Sequence, residues 1–379
     1  MRSSKSMWNL MQHYIRSFFF YLVLAGSLFS IFFALRLSSA QQMGSIASKH
    51  VLMQMPSERE SLGRELIADF ERCYEFVNKA TNGSLPPKIL INVNGDLSDS
   101  SCSWRDSSIL VGMNQPGTDV KALFFHNTTR EIARMGLLGL SEGVQREDTE
   151  FLFEGMIEIL THEFDHTSRR LEAAWTIARY LDEMKMLGLA TQRSWSVFSG
   201  GKRSLRNASP GITFLLTFRE LQGRERPMKL FEALKKNSLM TSLSIAFKAP
   251  AVELEATWLK KVREYPINER EEITTVAEEV PQLVQTSFMQ GISGTAANLQ
   301  IFLDDRAGNL LPSGVFVKDE RTGLVLQAKA TSEKETQLFQ VEIPNEGKNQ
   351  PGKYQYQIIA IDESGNLKRW IRSYTLANR

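Results

Sequence analysis

The sequence predicts an α+β domain, built from a small sheet and a helical subdomain, followed by an all-β sandwich. Three observations carry this. In "RELIADFERCYEFVNKAT", Leu66, Phe70, Tyr74 and Phe76 recur at helical spacing, and "PKILINVNG" and "SSILVGMNQPG" then read as short strands bounded by Asn, Pro and Gly. Helical patterns dominate from about Val120 to Glu264. After that the chain alternates, in "NLQIFLDD", "GVFVKDERTGLVLQA", "TQLFQVEIP" and "GKYQYQIIAIDESGNLKRW", between turns of Gly, Asn and Asp.

The predicted boundaries follow the texture of the chain. Residues 1–40 are a signal peptide or N-terminal anchor, because Arg2, Lys5 and Arg16 precede an apolar run from Phe18 to Leu35, with Ser38, Ser39 and Ala40 at a position suited to cleavage. Residues 41–60 are small and polar and read as a linker. The α+β domain is expected over 61–270, a second linker over 271–285, and the sandwich over 286–379. The basic flank before the apolar run, and its absence directly after, place the body outside the cytoplasm, periplasmic or extracellular, tethered by residues 18–35 if the signal is kept.

Composition excludes some classes. With 42% hydrophobic residues in 379, the chain can bury a sizeable core. A net charge of +2, from 45 basic and 43 acidic residues, gives no electrostatic case for nucleic acid. Cys73 and Cys102 carry no CxxC spacing; in an oxidising compartment they form one disulfide or stay as two thiols.

A family pattern shows in the middle of the chain. "ALFFHNTTREIARMGLLGL" followed by "EFLFEGMIEIL" resembles the active-site segment of the gluzincin metallopeptidases, the thermolysin-like and aminopeptidase-like group, and in particular the bacterial peptidase-MA-like domains. "GITFLLTFRELQGRERPMKLFEALKKNSLMTSLSIAFKAPAVELEATWLKKVRE" resembles their closing helices, so the resemblance covers about Leu62 to Glu264. It implies an α+β zincin-like domain with an HExxH helix and a second helix bearing a glutamate ligand. Here the first motif reads RExxR, Arg130-Glu131-Ile132-Ala133-Arg134, and the second Phe153-Glu154-Gly155-Met156-Ile157-Glu158.

The substitution decides the chemistry. A catalytic zinc takes three protein ligands and an open position, and two histidines at i and i+4 supply two of them from one helical face. Arginine carries only donors and stays charged, so it cannot ligate a cation. Glu131, the general base by resemblance, then has no metal-bound water to act on, and Glu154 and Glu158 lose the roles of third ligand and supporting carboxylate. Either the guanidiniums fill the volume of the lost ion as a buried ionic cluster, or all of these side chains stand solvated on the walls of a cleft. "RNASPGITF" also lacks the tyrosine or histidine that the resemblance leads one to expect for oxyanion stabilisation.

A literal HExxH does occur later, at His162-Glu163-Phe164-Asp165-His166. It lies on the glutamate helix, has a charged residue at 165 where the core-facing pattern wants none, and has no glutamate in register downstream, where Lys185 and Met186 stand. An active zinc peptidase with ligands His162 and His166 and base Glu163 is therefore the alternative, and the expectation is no catalytic residue, no metal and no cofactor. His126, one turn before Arg130, is a further candidate for the same cleft. "SGGKRSLRNASPG" lacks phosphate-loop spacing and reads as a surface loop. The final strands resemble the closing hairpin of immunoglobulin-like or fibronectin-like modules, in which Asp362, Gly365 and Asn366 are turn residues. The function expected is thus a non-catalytic metallopeptidase-like protein at the cell envelope, binding or scaffolding a peptide or envelope protein, with no nucleic-acid partner and membrane contact only through the N-terminal segment.

Overall fold

A computed structural model describes residues 43–94, 97, 100–113, 119–165, 170–192, 205–266, 272–274, 280–289, 297–304, 310–331, 336–343, 352–362 and 366–376. The N-terminal segment 1–40 and His166 lie outside these residues. No helix among them is long and apolar enough to cross a membrane.

An α+β region comes first and an all-β region second. Strands β1 (Met43–Ala47), β2 (Val51–Pro56), β3 (Ile89–Asn94), β4 (Ser101–Ser103) and β5 (Ser108–Gly112) form one sheet in the order β1-β2-β3-β5-β4. The β2–β3 and β3–β5 pairs are parallel and the two outer pairs antiparallel. Helix α1 (Glu60–Ala80) connects β2 to β3, the crossover that a parallel pair requires. Its buried face includes Leu66, Phe70, Cys73, Tyr74 and Val77; of the recurrence seen in the sequence, Leu66, Phe70 and Tyr74 lie on this face and Phe76 is half-buried.

Two boundaries differ from the sequence expectation. Residues 43–56, expected as a linker, are two strands of the sheet. Val51, Met53 and Met55 alternate into the core, whereas Gly44, Ser45 and Ala47 of β1 have side chains too small to signal a strand. The second expected linker contains Ile273, which bridges to Leu367, and the start of β6 (Gln282–Met289).

The helices are α2 (Val120–Leu140), α3 (Glu150–Asp165), α4 (Arg170–Glu183), α5 (Leu189–Gln192), α6 (Leu205–Gln222), α7 (Arg226–Leu234), α8 (Leu239–Phe247) and α9 (Ala251–Glu264). Part of the expected loop "SGGKRSLRNASPG" is helical, since α6 begins at Leu205 and contains Pro210. Helix α3 is buried without interruption from Phe151 to Thr161, so it is central rather than amphipathic. Its close neighbour is α6. A Cβ at Gly155 would meet the backbone of Gly211, and one at Gly211 would collide with the carbonyl of Phe151. On α9, Trp258 is fully buried and donates Nε1–H to Thr213 Oγ1 of α6 at 3.0 Å.

The C-terminal region has two four-stranded sheets. One has the order β10-β11-β7-β6, the other β13-β12-β8-β9. These add β7 (Ala297–Asp304), β8 (Leu310–Asp319), β9 (Val325–Gln327), β10 (Lys329–Ala330), β11 (Thr336–Ile343), β12 (Gly352–Asp362) and β13 (Leu367–Leu376). Leu299, Ile301, Phe339 and Val341 of the first sheet share a core with Val315, Val317, Ile358 and Ala360 of the second. The opposite face of the second sheet is also covered. Phe316, Ile359, Ile361 and Leu367 join the core of the helical region, which is why "GVFV" and "IIAI" are continuous apolar runs. Tyr180 of α4 packs against Phe316 at 5.5 Å between ring centroids, and Arg369 Nη1 donates to the Tyr180 hydroxyl at 2.7 Å.

Candidate functional site

Helices α2 and α3 bring the sequence-predicted residues together. Arg130 and Arg134 are one turn apart on α2, and Glu154 and Glu158 one turn apart on α3, so each pair projects from one helical face toward the other helix. Arg134 Nη2 donates to Glu154 Oε1 at 2.6 Å, and Arg130 Nη2 donates to Glu154 Oε2 at 3.0 Å. Arg130 Nη1 is ion-paired with Glu158, and Arg134 Nε lies 3.4 Å from Glu131 Oε2. All five residues are buried, from 0% exposure at Glu131 to 7% at Arg130. Of the two arrangements left open by the sequence, the buried ionic cluster is the one present.

The four charged side chains that face one another across α2 and α3 pair within the helix interface. Glu154 receives two cationic donors on separate oxygens. Burial acts to lower the Arg134 pKa, but the Glu154 and Glu131 carboxylates outweigh it and raise the value above that of free arginine. Arg134 therefore stays a cation at any working pH. The residues do not fit zinc: the two side chains nearest the carboxylates are donors with no lone pair to offer.

No family model matches the chain, and no curated protein is similar to it.

The second motif is committed differently. Glu163 lies on the last turn of α3 and pairs with Arg219 of α6 and with Arg224, whose Nη2 donates to its Oε2 at 2.7 Å. Each oxygen of Glu163 faces a guanidinium, Oε1 that of Arg219 and Oε2 that of Arg224, so the carboxylate is engaged in ion pairs. His162 is half-buried, and His166 lies outside the described residues. Sequence reasoning missed Arg219 and Arg224, and no local pattern could have found partners 56 and 61 residues away. His126 sits half-buried on α2, one turn from Arg130.

Other candidates resolve into structure. Cys73, inside α1, and Cys102, on β4, are not joined in a disulfide, and burial pushes the Cys73 pKa up, which disfavours its thiolate. Asp362, fully buried, accepts from Asn366 N at 2.8 Å and Asn366 Nδ2 at 2.7 Å, which occupies it as a turn residue. A groove of about 740 Å³ lies elsewhere, lined by Trp175, Leu216, Arg219, Glu220, Lys261 and Tyr265. Its cations are already engaged, Arg219 with Glu163 and Lys261 with Glu220.

Proposed function

We propose that this chain is an exported, non-catalytic metallopeptidase-like protein of the gluzincin type, with an immunoglobulin-like sandwich, and that it binds or scaffolds a peptide or envelope protein at the cell surface or in the periplasm. The observation that supports this reading is the position of the two guanidiniums. On the resemblance, Arg130 and Arg134 correspond to the two ligand histidines and Glu154, 20 residues beyond Arg134, to the third ligand, and both arginines donate to Glu154. Glu131 lies between them on the same helix, the place of the base. On this reading the chain keeps the two carboxylates, Glu131 and Glu154, while arginines at 130 and 134 leave it without a Lewis acid.

The test restores the ligands. The purified chain carrying Arg130→His and Arg134→His together is expected to retain about one equivalent of zinc after dialysis, with Glu154→Ala abolishing it in that background. The parent chain is expected to retain none. Stoichiometric zinc in the parent, lost on His162→Ala, would sink the reading in favour of the HEFDH segment. A folded double-histidine variant that holds no zinc would show that these helices were never arranged as a metal site.

A further inference from the structure

We infer that His50, Glu71 and Glu75 form a binding site for an exchangeable divalent cation of the zinc class, which clamps the turn between β1 and β2 to helix α1. The site is separate from the α2–α3 cluster, and the inference does not rest on the metallopeptidase-like reading.

Two elements supply the ligands. Glu71 and Glu75 are four residues apart on α1, so their carboxylates leave one helical face, and His50 reaches them from the turn that joins β1 to β2. An imidazole nitrogen and one oxygen of each carboxylate all lie within 4.8 Å of one another. Within that group His50 Nδ1 is 2.5 Å from Glu71 Oε1. One nitrogen and two anionic oxygens suit a borderline cation such as zinc. The imidazole counts against magnesium and calcium, which take oxygen ligands.

Two of the ligands are held in place by their surroundings. The His50 ring lies parallel to that of Tyr74, with 4.5 Å between centroids and 8° between planes, and the Tyr74 hydroxyl donates to the Pro86 carbonyl at 2.7 Å. Glu71 Oε2 accepts from Ser48 Oγ at 2.5 Å and from His50 N at 3.0 Å, which turns Oε1 toward the imidazole. Bonds of this kind orient the carboxylates of metal sites.

Glu75 is the residue that the His50–Glu71 pair leaves unexplained. It is exposed, among the described residues no cation pairs with it, and a second carboxylate one turn from Glu71 is repelled by the first. A dication would neutralise both carboxylates, with His50 Nδ1 giving its lone pair once the ring proton stands on Nε2. The side chains of His50 and Glu71 are 21% and 17% exposed, so water reaches the site and the cation exchanges. Dialysis therefore empties it, unlike the buried zinc site that the double-histidine variant is expected to restore.

Calorimetric titration of the full chain with zinc chloride, and with magnesium chloride, tests the site. The parent is expected to bind about one equivalent of zinc with micromolar affinity. Glu75→Gln keeps the His50–Glu71 pair and changes only an exposed side chain, so it is expected to fold and to weaken zinc binding by about tenfold or more. His50→Phe keeps a ring against Tyr74 and is expected to abolish binding, whereas His162→Ala should bind as the parent does. With zinc at about ten times its dissociation constant, exchange of the His50 amide should slow by about tenfold. No zinc bound by the parent, equal affinity in Glu75→Gln, loss in His162→Ala, magnesium bound as tightly as zinc, or amide exchange unchanged by bound zinc would each overturn the inference.

Discussion

Arg134 donates its Nη2 to Oε1 of Glu154 at 2.6 Å inside the α2–α3 interface, with both side chains at most 6% exposed. Neither charge could be left there alone. Removing one partner of such a pair strands the other in a medium that solvates it poorly, whereas removing both can be nearly neutral.

Arg134→Met is accordingly expected to cost about 3–5 kcal/mol in urea unfolding, because Glu154 keeps only the Arg130 guanidinium and Glu131 loses the one 3.4 Å from its Oε2. Adding Glu154→Gln in the same chain should recover part of that loss, with a coupling of about 0.5–3 kcal/mol. A single Arg134→Met variant as stable as the parent would mean that the cluster is solvated in solution.

The helical packing gives a second expectation. Gly211 lets α6 approach α3 backbone to backbone, and Gly211→Ala would push its methyl into the Phe151 carbonyl. The predicted loss is about 1–3 kcal/mol, seen as a lowered thermal midpoint. Since Phe151 opens the helix that carries Glu154 and Glu158, the same variant should loosen the ionic cluster, read as faster exchange of the α3 amides.

How much of this was legible in the sequence depends on the range of the relationship. The α1 face and strands β3 and β5 follow from short periods, whereas the spacing of the RExxR segment from Glu154 left open whether they pair or stand solvated. Burial of α3 on every side was also readable, because Phe151 to Leu160 is apolar apart from Glu154, Gly155 and Glu158. Strand β1 was hidden by its small residues, and the covering of the second sandwich sheet by helices was hidden by distance. Nothing local connects Tyr180 to Arg369, 189 residues apart. The continuous runs at 314–317 and 358–361 were the available clue, since a strand with one solvated face should alternate more cleanly.

That covered sheet leads to a third prediction. Phe316 is fully buried and contributes to the core shared with the helical region. Phe316→Ala is expected to cost about 3–5 kcal/mol and to split a single unfolding transition into two, one for each region. Tyr180→Phe keeps the ring contact and removes the hydroxyl that Arg369 bonds, so it should cost only about 1–2 kcal/mol without the split. Two separate transitions in the parent chain would show that the regions unfold independently despite their contact.

The last prediction concerns pH and the turn between β1 and β2. Glu71, with a side chain 17% exposed, accepts from Ser48 Oγ at 2.5 Å and from His50 N at 3.0 Å, and its other oxygen meets His50 Nδ1. Burial alone would raise its pKa, but the bonds from Ser48 and His50 outweigh burial and bring it below the ordinary value of 4.5. A carboxyl that binds protons less readily when folded stabilises the fold above its unfolded pKa, and that contribution disappears as pH falls through the folded value. Glu71→Gln should therefore be less stable than the parent near neutral pH, with the gap closing toward about pH 3. Urea unfolding at both pH values measures it. A gap that persists unchanged in acid would assign the loss to packing of the His50 ring, which stacks on Tyr74 at 4.5 Å, and not to the ionised carboxylate.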